Sequence, residues 1–473
     1  MRPSLPVPRR GARLSRLALP PLLATLLAAS PVASPVASPV RADDAPGQQG
    51  TPEPACEDGM SLAPAACLEG QVLLDSFANT RGGVHRGVAA LGQLSLGVDL
   101  DLGTLAGWKG WTARASAYGI LGRQPSPSLT GSLASLSNAE AVPTFRLSEL
   151  WVQREAEGIG SLRIGQIAAD TEFFTASAAG NLTNGTFGWP MGISYALPSG
   201  GPGYPFAAPG IRLALRDPEK GSGFRAAIMT GDPGGKYGAG TDPQRHNRYG
   251  TNVSFAGGTF YIAEGVVGAA APEGGQQRPW VAKLGAWYHD GGFDDQRGDP
   301  GIYLAEPTST NTSVDPLAHG GVPRKPNNHG LYTVGEATLW RGGTSDLASF
   351  ARLSLTPGGR NLFGFYGDTG LAWHGPFGRK DDTASIGLAY AQTSAAGRDL
   401  DRAVRALTGL PPTRDREMVL EADYEAAVAG HLAIRPGAQW ISHPNAGIPD
   451  GRYRDDARLR DAVVLELRLA ARL

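Results

Sequence analysis

The sequence has few cysteines, few charged residues and no long apolar run beyond its N-terminal region. Two cysteines in 473 residues exclude a disulfide-rich scaffold and a zinc fold that needs several cysteines. Charged residues make up 18% of the chain and the formal net charge is −1, so the basic surplus typical of nucleic-acid binding is missing. The absence of an apolar run of about 18 residues further along excludes a membrane protein built from helices.

The N-terminal region has the pattern of a secretory signal peptide. Five arginines precede a short apolar run, Leu17–Ala29, and small residues follow it up to Ala42. We therefore predict that residues 1–42 are a signal peptide cleaved on export. Its removal leaves 37 basic and 44 acidic residues, because the segment carries six arginines and no acid, and the mature chain has a net charge of −7.

Both cysteines lie in the stretch that follows. We predict an N-terminal extension over residues 43–73 and a single further domain over residues 74–473. Cys56 and Cys67 fall in the extension, and export would bring them into an oxidising compartment. A disulfide between Cys56 and Cys67 is the favoured interpretation, with two free thiols as the alternative.

Glycine is abundant, at 66 residues, and the dominant period of the chain is two. In Gln93–Leu102, leucine and valine alternate with polar residues and glycine, and Val463–Leu473 repeats this pattern. Similar segments of about ten residues recur, separated by Gly, Pro, Asn and Asp turn clusters. The sequence therefore predicts an all-β chain whose strands have one apolar and one polar face.

The number and length of the segments favour a closed transmembrane antiparallel β-barrel of about 16 strands. A tilted strand of about ten residues spans a bilayer, and the chain ends in a strand, as closure requires. A soluble β-sandwich or β-helix has the same period and is the alternative at this point. Two polar stretches predict long loops, residues 290–326 and 396–416, and the second contains a candidate short helix, Arg398–Leu407.

Motifs of catalysis and metal binding are missing. The sequence has no Gly-x-Ser-x-Gly, Walker or His-Glu-x-x-His motif, and its 8 histidines show no metal-ligand spacing. Four aspartates between Asp290 and Asp299 lack the spacing of a dedicated calcium loop, so a solvated loop is favoured there. We predict neither an enzyme nor a metal or cofactor site.

Eight segments of the chain form an ordered set. They are Leu162–Phe174, Asn184–Pro190, Gly201–Leu213, Phe350–Pro357, Tyr366–Leu371, Gly378–Thr383, Glu417–Tyr424 and Ile434–Pro444. Together they resemble the carbohydrate-selective porin family named OprB, in the family's order and over about Leu74–Leu473. One departure is the terminal Leu473, where such barrels usually end in an aromatic residue.

The resemblance implies an outer-membrane channel of about 16 strands, narrowed by loops that fold inward. Such a channel passes monosaccharides such as glucose, or polyols, by facilitated diffusion. Its expected partners are small neutral sugars, outer-membrane lipid and the barrel-assembly machinery, and a homo-oligomer is a candidate assembly. No cofactor and no nucleic acid are expected.

A neutral sugar must be selected by hydrogen bonds to its hydroxyls and by apolar contact with its ring. Arginine suits the first task and aromatic rings the second. The alternation places Asp423, Glu466 and Arg468 in the lumen, together with the candidate sugar-binding residues Arg163, Arg212, Arg352, Arg435, Glu421 and Gln439. The alternative for each is that it hydrates the wall or holds a loop through an ion pair.

A Gly- and Pro-rich segment carries three candidate aromatic residues, Phe187, Trp189 and Tyr204. Proline lacks a ladder donor, so the segment predicts a shaped loop rather than a regular strand. These rings would either line the channel or pack against the barrel wall.

Three rival functions remain at this stage. A general or anion-preferring porin would need a ladder of basic residues with few acids opposite, and the predicted inward set is mixed. A barrel enzyme would need a nucleophile beside a base, and nothing in the sequence brings Ser194 and His246 together. A surface adhesin with a plugged lumen is the third.

Overall fold

In the computed structural model, the described residues are 59–216, 222–235, 242–269, 279–298, 323–409, 414–447 and 458–472. The predicted signal peptide and Cys56 lie outside them. Cys67 lies in the second strand and is not a free thiol. The signal peptide and the Cys56–Cys67 disulfide stay predictions.

Seventeen strands form within the described part of the chain, and all of their pairings are antiparallel. They are β1 Met60–Ala63, β2 Ala66–Arg81, β3 Gly87–Asp101, β4 Trp111–Gly122, β5 Thr144–Ala156, β6 Gly160–Ile167, β7 Ala208–Leu215, β8 Ser222–Thr230, β9 Thr259–Ala269, β10 Trp280–Asp294, β11 Arg324–Gly342, β12 Ser345–Leu355, β13 Phe363–His374, β14 Thr383–Thr393, β15 Arg416–Ala429, β16 Leu432–Ser442 and β17 Ala462–Arg472.

Helical segments are short and lie between strands. The α-helices are α1 Leu102–Ala106, α2 Gly185–Gly188, α3 Met191–Ser194, α4 Pro243–His246 and α5 Ala395–Thr408. One π-turn covers Ser126–Thr130, and the 3₁₀ turns are Ala169–Thr171, Ala178–Asn181, Pro198–Gly200, Pro376–Gly378 and Pro444–Gly447. No helix among the described residues is long and apolar enough to cross a membrane.

Strands β2 to β17 close into a barrel of 16 strands. Each strand pairs with its neighbour in the chain, and β17 pairs with β2. At this seam Arg468 lies opposite Asp75 and forms a two-pronged ion pair with it, both N–O distances being 2.7 Å. The short β1 pairs with the start of β2 as a hairpin. The predicted barrel of about 16 strands is confirmed.

The two faces of the strands differ as the alternation predicts. On β17, Leu465, Leu467 and Leu469 are exposed, whereas Glu466 and Arg468 between them are buried. The same alternation on the other strands leaves a wide apolar belt on the outside of the barrel. An apolar surface of this extent is stable in lipid but not in water.

Some boundaries differ from those predicted. Strand β2 begins at Ala66, so residues 66–73 belong to the barrel wall rather than to an extension, because Leu68 and Val72 already continue the outward alternation. Strand β3 ends at Asp101 and not at Leu102. The Asp101 side chain accepts a hydrogen bond from the Gly103 amide and caps the N-terminus of α1, which begins at Leu102. The predicted helix at 398–407 is confirmed as α5.

Candidate functional site

Two long connections fold into the barrel. The 123–143 loop joins β4 to β5, and the 168–207 loop joins β6 to β7. Most of their apolar side chains are buried, and those of Leu136, Phe174 and Phe187 are fully so. Burying a leucine or phenylalanine side chain contributes about 1.5–3 kcal/mol, which favours the inward position of both loops.

Close packing shapes the 168–207 loop around Trp189. The indole N–H of Trp189 donates to the Gly200 carbonyl over 2.8 Å. A Cβ added at Gly203 would lie 2.8 Å from the same indole ring, so only glycine fits there. Phe187 packs edge-on against Phe350, with ring centroids 6.2 Å apart. Both predicted aromatic residues therefore pack within the loop or against the wall.

Carboxylates on the barrel wall accept the backbone amides of the two loops. Irregular loops leave amide donors without partners, and buried donors need acceptors. The acceptors lie on three strands, β9, β11 and β15. The contacts are Phe174 N to Glu264 (3.0 Å), Ser177 N to Glu336 (2.6 Å), Asn184 N and Thr183 N to Glu421 (2.9 Å for Asn184), and Leu133 N and Ala134 N to Glu417 (2.9 and 2.7 Å).

Arg352 on β12 donates hydrogen bonds to carbonyl oxygens of the 168–207 loop. Its guanidinium forms an ion pair with Asp368 over 2.5 Å, and both side chains are 0% exposed. Its remaining donors are directed at the 168–207 loop, to the carbonyl oxygens of Phe174, Thr186, Phe187 and Gly188 at 2.8–3.2 Å. Arg352 thus anchors the loop, and its side chain presents no exposed surface.

Arg163 and Arg212 form a second cluster on neighbouring strands. They are opposite residues of β6 and β7, and the Glu172 carboxylate from the 168–207 loop lies between them. Arg163 donates to Glu172 over 2.7 Å and Arg212 over 2.9 Å, and both also donate to Gln153. The Arg163 guanidinium lies over the Trp151 ring, 3.8 Å from its centroid. This is the geometry of a cation–π contact.

Beside this cluster, Arg114 on β4 has three acidic neighbours. It forms ion pairs with Glu69 at 2.6 Å, with Asp99, and with Glu149 at 3.7 Å. Arg114, Glu69 and Asp99 are partly exposed, so this side of the wall is open to water. Arg114, Gln153 and Glu172 were not among the predicted residues. Alternation could have placed the two strand residues in the lumen, but no pattern marks Glu172, which lies in a loop.

Tyr204 connects the two loops. Its hydroxyl donates to the Ala139 carbonyl over 2.8 Å, and its ring packs edge-on against Tyr118. Its amide donates to Asp170 over 2.6 Å. Burial raises the pKa of the Asp170 carboxyl to about 7, because a charged group loses its hydration there. Glu140 accepts the amide and hydroxyl of Ser126, and burial likewise raises its pKa to about 7.

Two further predicted residues, Gln439 and Arg435, lie on β16. Gln439 on β16 donates to the Leu136 carbonyl over 2.8 Å and accepts from the Asn184 side chain over 2.9 Å. Arg435 forms an ion pair with Glu425. The structure therefore brings Arg163 and Arg212 together in one cluster, Arg352 and Phe187 in a second, and Glu421 and Gln439 in a third. Sugar contact by any of them stays a prediction.

A family model described as "Carbohydrate-selective porin, OprB family" matches residues 85–473. The chain belongs to this family. The structure of Pseudomonas putida OprB at high pH matches with a TM-score of 0.69 at 18% identity, over 86% of this chain and 94% of that chain. The low-pH structure of the same protein gives a TM-score of 0.48 at 13% identity, over 86% and 93%. No curated protein matches the chain.

Membership of the OprB family gives the function and the location. The chain is a carbohydrate-selective porin of the outer membrane. The solved structure supports the fold, a closed antiparallel barrel. The geometry of this OprB-family barrel then indicates where the lumen is narrowed: at the two inward loops and the charged clusters that hold them.

Proposed function

We propose that the protein is a passive channel for monosaccharide-sized neutral sugars such as glucose, and for polyols, and that it has no catalytic activity. The observation that carries this proposal is the pairing of opposite charges at the narrowed part of the lumen. Arg163 and Arg212 share Glu172, and Arg114 lies among three acids. A wall with balanced charge offers many donors and acceptors but little net field, which suits a neutral solute.

Arg163, Arg212 and Tyr204 are our strongest candidates for sugar contact among the predicted residues. Arg163 and Tyr204 are each partly exposed, and Arg212 lies beside Arg163. The guanidinium groups and the Gln153 amide would bind sugar hydroxyls, and Trp151 lies beneath Arg163. Arg352 and Phe187 would act indirectly, by fixing the 168–207 loop.

Binding in such a channel must be weak. A solute that enters also has to leave, so we expect millimolar affinity, about −4 kcal/mol. A general or anion-preferring porin remains the second candidate, and the mixed charges of the wall favour the neutral-solute channel over it. We further propose export through cleavage of residues 1–42, insertion by the barrel-assembly machinery, and a homo-oligomer as a candidate assembly.

Reconstitution in planar bilayers tests the proposal. We expect glucose to reduce the single-channel ion current, and we expect the double variant Arg163→Ala/Arg212→Ala to weaken this block. Arg379→Ala is the matched control, because Arg379 lies in the turn between β13 and β14 and is largely exposed. Unchanged block in the double variant would contradict the assigned residues, and absence of any conductance would contradict the channel.

A further inference from the structure

Three acidic side chains meet on the inner face of three adjacent strands. Glu421 and Asp423 lie on β15, and Glu466 lies on β17. Strand β16 runs between them, and its Gly437 is opposite both Asp423 and Glu466. Carboxylate oxygens of the three acids lie within 4.8 Å of one another, and all three side chains are buried. Three carboxylates this close repel one another strongly unless positive charge is placed among them.

Two of the carboxylate oxygens have no hydrogen-bond partner within the described part of the chain. They are Oδ1 of Asp423 and Oε1 of Glu466, in residues that are 6% and 7% exposed. Both oxygens lie over Gly437: a Cβ added there would lie 1.9 Å from Asp423 Oδ1 and 2.6 Å from Glu466 Oε1, so the two oxygens converge beside the glycine backbone. Buried oxygens without partners are costly, so their convergence on one point indicates a missing ligand.

The other oxygens of the cluster are already engaged with protein donors. Both oxygens of Glu421 accept backbone amides of the 168–207 loop, and the Gln439 amide donates to Oε2 of Glu466. The hydroxyl of Thr183 donates to Oδ2 of Asp423 over 3.4 Å. These donors are neutral, so they do not balance the charge of the three acids.

The arginines two residues along β16 and β17 are each paired with another acid. Arg468 follows Glu466 by two residues on the inner face of β17, but its guanidinium holds both oxygens of Asp75. Arg435 precedes Gly437 by two residues on β16 and forms its ion pair with Glu425. Neither of these ion pairs places a guanidinium on Asp423 Oδ1 or Glu466 Oε1, which have no hydrogen-bond partner among the described residues.

We propose that Asp423, Glu466 and Glu421 bind a Ca²⁺ ion among their carboxylates, beside Gly437. All the atoms available there are oxygens, which is the ligand set of a hard divalent cation, and Ca²⁺ accepts irregular carboxylate geometry better than Mg²⁺ does. The ion would offset the repulsion among the three carboxylates. Glycine at position 437 lets these carboxylates approach one another, because a side chain there would displace them. Because Glu421 also holds Thr183 and Asn184, the bound ion would fasten the 168–207 loop to the barrel wall.

Calcium binding by these three acids requires no particular solute in the lumen, so it is independent of the proposed function. Sequence spacing gives little sign of the site, since Glu466 lies far along the chain from Glu421 and Asp423. It is brought beside them only by the pairing of β15, β16 and β17.

Calcium binding by the refolded full chain tests the proposal. The protein is refolded in detergent without lipopolysaccharide, stripped with a chelator, and dialysed against Ca²⁺. We expect about one bound Ca²⁺ per chain and a higher unfolding temperature with Ca²⁺ than without it. The variant Asp423→Asn/Glu466→Gln keeps the size of both side chains, and we expect it to lose the bound Ca²⁺ and the calcium-dependent rise in unfolding temperature.

Two further variants make the result specific. Glu336→Gln changes another wall acid that holds the same loop, and we expect it to keep the bound Ca²⁺. Gly437→Ala keeps all three acids, but its methyl group would displace the Asp423 and Glu466 carboxylates, and we expect the affinity for Ca²⁺ to fall by more than about tenfold. If the double variant does not fold, Asp423→Asn alone is measured, with the same expected fall in affinity. No bound Ca²⁺ in the wild type at millimolar Ca²⁺, or undiminished binding in Asp423→Asn/Glu466→Gln, would overturn the proposal.

Discussion

Arg163 and Arg212 face each other on β6 and β7, and both donate to the same oxygen of Glu172. Two like charges opposite each other on adjacent strands are unfavourable by themselves. The shared carboxylate compensates for this repulsion, and it comes from the 168–207 loop rather than from the wall. The position of the loop and the charge of the lumen are therefore coupled at this point.

Removing the charge of Glu172 should make the channel prefer anions. In Glu172→Gln the two arginines lose the carboxylate that balances them, so the local potential becomes positive. We expect the reversal potential in a KCl gradient to shift towards that of chloride. Glu157→Gln, in the exposed turn between β5 and β6, is the control and should leave the reversal potential unchanged. An unshifted potential in Glu172→Gln would show that this cluster lies off the conduction path.

Loss of Arg352 should release the 168–207 loop. Arg352→Met leaves Asp368 buried without a cation and leaves four loop carbonyls without a donor. Breaking a buried ion pair on one side costs about 3–5 kcal/mol. We expect a lower unfolding temperature, with larger and noisier single-channel currents. Arg402→Met should change neither, because its ion pair with Asp399 is exposed on α5. Wild-type currents in Arg352→Met would contradict the anchoring role.

Asp170 and Glu140 should make stability depend on pH. Burial raises the pKa of both carboxyls to about 7, so the folded chain retains protons that the unfolded chain has released. Their contribution to stability is complete below their ordinary pKa values and is lost as the pH rises to about 7. We expect Asp170→Asn/Glu140→Gln to lose less stability than the wild type between pH 4 and 7. Thermal unfolding across this interval tests it, and parallel curves for the two proteins would contradict the assignment.

A charged side chain on the outer face of the barrel should destabilise the protein in a membrane. Leu467 is exposed on β17 between the buried Glu466 and Arg468. A lysine on the lipid face of such a barrel costs up to about 2–4 kcal/mol at mid-membrane depth. We expect Leu467→Lys to fold into lipid bilayers with a lower yield than the wild type. Leu105→Lys, in α1 outside the strands, should fold normally. Equal yields for the two variants would place Leu467 away from lipid.

The sequence was sufficient to predict the barrel and the orientation of the strand residues. Alternation in Val463–Leu473 assigns each side chain to one face, and the structure follows it from Val463 to Leu469. The candidate short helix Arg398–Leu407, predicted within the polar stretch 396–416, is found as α5. These features depend on neighbours along the chain, which is why local pattern predicts them.

The contacts inside the lumen could not be predicted in the same way. Alternation says that Arg352 points inward, but not that a loop some 170 residues earlier in the chain would cover it. Phe187 likewise contacts Phe350 only because the 168–207 loop folds back across the wall. Which inward residues stay open to water depends on how the loops fill the barrel, and that is decided by packing between distant segments.

The central claim, that this barrel passes neutral sugars selectively, is tested most directly by liposome swelling. Liposomes containing the protein are placed in isotonic glucose and, separately, in an isotonic amino acid of similar size. Our account predicts faster swelling in glucose, with the difference reduced in Arg163→Ala/Arg212→Ala. Equal swelling rates in the two solutes with the wild-type protein would contradict it.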